Sequence, residues 1–192
     1  MRTTRKSQQA DSQSRRAGRT SIPKRAARGS HRVNEMPHLK IFAGGQTGAD
    51  RAALDWARRR RIPHGGWCPK GRLAEDGVID REYRLQETPS ASYAERTEWN
   101  IRDSHGTVIF SVSEALAGGT LLAANVARRL KKPLLHLCPS ANPADAAKRL
   151  KAFVARHKIT VLNVAGPRAT EESQITRFVE QTLEQAFGDT PI

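Results

Sequence analysis

Residues 44–50, GGQTGAD, set three glycines, an amide, a hydroxyl and a carboxylate just ahead of an amphipathic pattern. At a helix start the first backbone N–H groups lack intrahelical partners, and the helix dipole favours an anion. Gly44, Gly45 and Gly48 would let such an anion approach the main chain, while Gln46 and Thr47 would add amide and hydroxyl donors. Gly118, Gly119 and Thr120 open a second, nearly all-apolar helical pattern in the same manner. One Gly-Gly pair is commonly no more than a tight turn. Two, both between a strand pattern and a helix pattern, point to a ligand bearing phosphate or another strongly anionic group.

Lys70, Gly71 and Arg72 in the stretch CPKGR, then Arg96 and Arg168, could bring positive charge to such a group. Arg96, Asn100 and Asp103 recur at i, i+4 and i+7, a polar stripe that would orient a ligand or else lie solvated on a surface. Asp50 is the carboxylate candidate for catalysis, although a carboxylate suits the first turn of a helix in any case. Trp67 and Tyr83 have the better claim to line a pocket, and Trp56 and Trp99 read as packing.

Several chemistries are disfavoured. The chain has no G-x-x-x-x-G-K-[ST] phosphate loop and no G-x-G-x-x-G. The second strand pattern runs into Cys-Pro-Lys-Gly-Arg, where NAD recognition would want an acidic residue. Cys68 and Cys138 have no partners at metal spacing and read as free thiols of a reducing cytosol, so no metal site and a cytoplasmic location are expected. The histidines and cysteines form no nucleophile–base arrangement, which favours binding over catalysis.

These residues need a frame, and the apolar pattern supplies one. Strand-like runs at 39–43, 64–68, 106–112, 133–138 and 159–165 alternate with helical patterns at 48–61, 92–104, 118–132, 144–157 and 171–187. Such alternation predicts a three-layer α/β/α sandwich around a mostly parallel sheet of about five strands. In that class ligands bind beyond the carboxyl ends of the strands. Four distinctive loops, at 44–48, 65–71, 118–120 and 163–168, would gather there. The polar stretch from Pro69 to Ser92 is longer than an ordinary connection and reads as a functional loop.

The 192 residues suit one domain, and charge divides the chain unevenly. Residues 1–35 hold ten Arg and Lys against Asp11 and Glu35, a balance of +8, whereas the other 157 residues hold 23 basic and 17 acidic side chains, a balance of +6. With so few large apolar residues, 1–36 is expected as a disordered basic tail. It is either an arm for nucleic acid or another acidic partner, or the product of a start codon upstream of Met36. A single domain is expected at 37–188. No apolar run approaches the roughly 20 residues of a membrane span, so a soluble protein is expected.

Taken together, GGQTGADRAALDWA, IPHGGWCPKGRLAEDG, Tyr83 with LQET, YAERTEWNIRDSHGTVIF, LAGGT and LNVAGPR resemble the putative molybdenum carrier proteins, of the circularly permuted YpsA-type branch of the SLOG superfamily. The likeness runs from about Lys40 to the final helix. It implies a Rossmann-like fold that holds a nucleotide-like or pterin-phosphate ligand, in some members molybdenum cofactor, and it points to a homo-oligomer. The related lonely-guy phosphoribohydrolases use Gly-Gly-x-Gly-Thr-x-x-Glu. Here Thr120 matches but Ala123 stands in place of the glutamate, which weakens that hydrolytic route. The expectation is a binding protein for molybdopterin or a nucleotide. The alternative is a nucleoside-phosphate hydrolase or transferase, or a nucleotide sensor.

Overall fold

The computed structural model describes residues 39–139 and 143–188. The tail expected at 1–36 lies outside them. In chain order the elements are β1 (Lys40–Phe42), α1 (Ala49–Arg59), β2 (His64–Gly65), β3 (Trp67–Cys68), β4 (Leu73–Ala74), β5 (Gly77–Val78) and β6 (Gln86–Glu87). Then come α2 (Tyr93–Arg102), β7 (Gly106–Phe110), α3 (Gly118–Arg129), β8 (Leu134–Leu137), α4 (Pro143–Arg156), β9 (Val161–Ala165) and α5 (Ile175–Phe187).

Five strands form the central sheet in the order β2-β1-β9-β7-β8, and every neighbouring pair is parallel. The fold is Rossmann-like, as the alternating pattern predicts. Successive side chains of a strand face opposite layers, and β7 shows the consequence. Val108 and Phe110 join one core cluster with Ile41, Leu162, Trp56 of α1, Leu150 of α4 and Phe178 of α5. Ile109 faces the other way, into a cluster with Ile101 of α2 and Ala123, Ala124 and Ala127 of α3. Thus α1, α4 and α5 cover one face, and α2 and α3 the other.

Three stretches depart from the expected pattern, each for a visible reason. HGGWC is not one strand. Gly66, at φ 127°, turns the chain, so that Trp67–Cys68 leaves the central sheet and pairs with Gln86–Glu87. Asn100 holds the diverted segment: its Oδ1 accepts from the Trp67 amide at 2.9 Å and its Nδ2 donates to the Trp67 carbonyl at 2.8 Å. The long loop is also better ordered than its polarity suggests. It contains the β4–β5 hairpin, and the buried Arg72 organises it by donating to the carbonyls of Asp80, Ile79, Leu85 and Tyr83 at 2.7–3.0 Å. Finally, α5 begins at Ile175 rather than 171. Glu171 and Glu172 instead accept backbone N–H bonds, from Arg168 and from Val112.

Candidate functional site

From β1 the chain crosses through α1 to β2, at one side of the sheet, and from β7 it crosses through α3 to β8, at the other; β9 lies between. A crevice at the carboxyl ends of the strands follows where such crossovers part. It contains a cleft of about 130 Å3, lined from the β1–α1 loop, α2, the start of α3 and the end of β9.

Gln46 and Arg96 are two of its lining residues. The Gln46 side chain is 6% exposed, and its Oε1 accepts from the Thr47 amide at 3.0 Å and the Glu75 amide at 2.9 Å. This fixes which way the amide points and leaves Nε2 buried with no hydrogen-bond partner in the protein. Arg96 donates through Nη1 to Asp50 Oδ2 at 2.9 Å, while its Nε is buried and also without a partner. Buried polar groups are nearly always hydrogen-bonded, so two orphaned donors in one cleft stand out.

Asp50 is the counter-ion of Arg96. Burial pushes its carboxyl pKa up, opposed by the Arg96 charge and by bonds from the Gln46 and Gly44 amides. The Gly44 N–H reaches Asp50 Oδ2 at 3.2 Å. At α3, the Thr120 and Leu121 amides both donate to Ala117 O at 3.1 Å, so only the Gly118 and Gly119 amides stand ahead of the helical ladder. A Cβ on Gly119 would meet nothing within 4 Å. The Thr120 hydroxyl is turned back on Ala117 O at 2.6 Å. Tyr93 also lines the cleft, and the Arg96 and Arg168 guanidiniums lie 5.9 and 5.5 Å from the centre of its ring.

The cleft therefore brings together Gln46, Asp50, Arg96, Asn100, Gly119, Thr120 and Arg168 from the sequence-derived set. Gly118 stands one residue outside it, at φ 47°. The rest of the set is placed elsewhere. The space above Gly44 is taken by the Arg96 guanidinium, and that above Gly45 by Leu85 and Ile79. Gly48, at φ 76°, lies under the backbone of Pro167–Ala169. The close approach these glycines permit is made by the protein itself.

Arg72 is a correction of a plain kind: its guanidinium is committed to four carbonyls, and it lies outside the cleft. Lys70 is exposed on the neighbouring turn, and the Gly71 amide donates to Glu87 Oε2 at 2.6 Å. Asp103 accepts from Arg102 at 2.7 Å, which chiefly lowers its pKa, and from Trp67 Nε1 at 2.8 Å, which lowers it further. The polar stripe of α2 is thus mostly a seam that fastens the helix to β3. Tyr83 belongs to the packing of the long loop, its hydroxyl on Asp55 at 2.7 Å and its pKa pushed up to about 12 by burial and that carboxylate. Trp67 stacks edge-on against Trp99.

Thr47 is not among the residues that line the cleft. Its hydroxyl donates to Glu75 Oε1, and Thr170 Oγ1 donates to Glu75 Oε2 at 2.7 Å. The sequence reading passed over Tyr93, Asn163, Gly166 and Glu171, all of which line the cleft. The loop 163–168 was legible as a site loop, and only Arg168 was taken from it. Asn163 is spoken for in part, donating from Nδ2 to Thr107 Oγ1 at 3.2 Å.

Among the described residues no three His, Cys, Asp or Glu side chains converge as metal ligands, and no helix is long and apolar enough to cross a membrane. A comparison with curated proteins gives no match. The solved crystal structure of the Putative molybdenum carrier protein from Syntrophus aciditrophicus SB is similar at 46% identity and a TM-score of 0.77, over 80% of this chain and 98% of that one. Residues 41–187 match the model of the circularly permutated YpsA SLOG family. The chain belongs to that circularly permuted YpsA family of the SLOG superfamily.

Proposed function

We propose that the protein is a carrier that holds molybdenum cofactor or a closely related anionic pterin or nucleotide in the cleft. One observation carries the reading: Gln46 Nε2 and Arg96 Nε are buried donors without partners, on residues that line the same cleft as Gly119 at the start of α3. An unsatisfied buried donor costs about 1–3 kcal/mol, more where it is charged. An oxyanion accepting from both would remove that cost, and Arg168 would neutralise it.

The size of the cleft supports a division of labour. About 130 Å3 suits a phosphate-sized group and is well below the roughly 300–1,000 Å3 of pockets that enclose a whole drug-sized ligand. The anionic end would enter, and Tyr93 and Leu122, 39% and 38% exposed, offer apolar surface to the remainder. Such a cofactor keeps its molybdenum on its own dithiolene sulfurs, so the protein's part is to supply donors and cover. The Syntrophus protein is named for carrying molybdenum, which favours a molybdenum-bearing ligand over a metal-free nucleotide.

The test is to denature the purified native protein and identify the released small molecules by mass spectrometry, with molybdenum quantified alongside. A pterin with stoichiometric molybdenum is expected. A nucleotide without metal would overturn the carrier reading and make nucleoside-phosphate turnover the next assay. In either case, Gln46→Ala should weaken binding about tenfold or more, the loss of one hydrogen bond to a charged group. An unchanged affinity would remove the cleft from the site.

A further inference from the structure

We propose that Thr47, Thr170 and Arg168 form a second anion subsite beside the cleft, filled at rest by the protein's own Glu75 carboxylate, and that a ligand with two adjacent anionic groups binds by expelling it. The inference rests on the reading of the cleft as an anion site.

Glu75 sits at the turn of the β4–β5 hairpin, whose strands are two residues each. Leu73 and Val78 on that hairpin are 45% and 73% exposed, so burial does little to hold it down. Small isolated hairpins are marginal at best in water. Polar contacts at the turn fasten it instead. The Glu75 carboxylate takes both hydroxyl bonds, from Thr47 and Thr170, and lies 3.9 Å from Arg168 Nη1. The Glu75 amide donates to Gln46 Oε1, and Asp76 pairs with Arg51 at 3.2 Å.

These are the donors of an anion site, and they come from the same two loops that build the cleft. Thr47 follows β1 and Thr170 follows β9. The Ala169 amide donates to Thr47 Oγ1 at 3.4 Å, which leaves the hydroxyl proton free to point at the acceptor beyond. The Glu75 side chain is 18% exposed on a residue that lies at the surface, so the subsite is open to solvent. Its pKa lies below the ordinary glutamate value, chiefly because of the two threonine bonds. A side chain used merely to finish a turn would have no need of three donors from two distant loops.

Two residues link this subsite to the cleft. Arg168 lines the cleft and faces Glu75, and Gln46 holds the Glu75 amide with its oxygen while its nitrogen is one of the cleft's orphans. A diphosphate, or a phosphate next to a second oxyanion, could therefore use both subsites at once. Its charge, larger than the single charge of the carboxylate, would compete with Glu75 for Arg168 and the two hydroxyls. Release of Glu75 would free the hairpin, a segment of low local stability. The carboxylate thus selects for doubly anionic ligands and against single anions.

Calorimetry on the full chain with inorganic orthophosphate and pyrophosphate tests this. Glu75→Ala should raise pyrophosphate affinity about tenfold, whereas Asp76→Ala, which removes a carboxylate from the same hairpin, should change it less than about threefold. Adding Thr170→Val to Glu75→Ala should abolish most of the gain. Equal gains in the Glu75 and Asp76 variants, or a gain that survives Thr170→Val, would mean a general charge effect and overturn the subsite. In the unmodified protein, pyrophosphate should speed hydrogen exchange at the Glu75 amide, and slowed or unaltered exchange in the bound state would also overturn it. Failure of the cleft reading looks different: orthophosphate binding would then be indifferent to Gln46→Ala.

Discussion

Two carboxylates, Asp50 and Glu75, differ in kind although both lie by glycine-loop residues. Asp50 is enclosed, and its pKa is raised by burial more than Arg96 and the loop amides lower it. Its ionisation is therefore a cost that grows as pH rises from the ordinary aspartate range through the folded value. Glu75 has the opposite sign. Its pKa falls below 4.5 in the fold, so the stability it contributes is present above 4.5 and is lost as pH drops through the folded value. We expect Glu75→Gln to lower the urea midpoint at pH 7, with Arg168 left facing a neutral amide. The gap to the unmodified protein should close as pH falls below 4.5. A gap that widens in acid would show that the threonine bonds do not favour the ionised form.

At the scale of elements, the long loop between β3 and α2 shows how one side chain can organise a segment with almost no apolar core of its own. Arg72 draws four carbonyls toward a single guanidinium, and Ile79, Tyr83 and Leu85 then pack over Cys68 and Leu54. Arg72→Met keeps the aliphatic stem but strands the carbonyls, each of which loses a charge-assisted bond. We expect a loss of about 3 kcal/mol in urea unfolding, with faster hydrogen exchange across 72–86. Lys70→Ala, two residues away and exposed, should stay within about 0.5 kcal/mol and leave anion binding intact. Comparable losses in both variants would mean that the loop is held by something other than Arg72.

For the whole molecule, the cleft depends on a sheet whose two faces carry separate clusters. Phe110 is fully buried at the end of β7, stacked edge-on to Phe178 of α5 at 5.5 Å. Its carbonyl lies against Gly166 at the end of β9, so the same residue ties the core to the lining of the crevice. Phe110→Ala should cost about 3–5 kcal/mol by loss of burial and cavity formation, and lower Tm by roughly 10 °C for a domain of this size. A fall of only a degree or two would mean that the α5 layer relaxes into the space.

The sequence by itself determined what depends on neighbours along the chain. Alternation of strand and helix patterns is a local property, and it led to the parallel sheet, the helices and the edge at which the loops gather. The residue types of GGQTG, GGT and NVAGPR marked the loops of the cleft for the same reason. Tertiary structure decided which members of those loops face the cleft. Arg72 and Arg168 look alike as loop arginines, yet one meets four carbonyls and the other lines the cleft beside Tyr93 and Glu75. The room above Gly44 is occupied by the Arg96 side chain, whose partner Asp50 is 46 residues away in sequence. Thr47 meets a carboxylate 28 residues on, and that carboxylate meets a threonine 95 residues further. Contacts between such separated residues depend on how the layers close over one another, which no local pattern encodes.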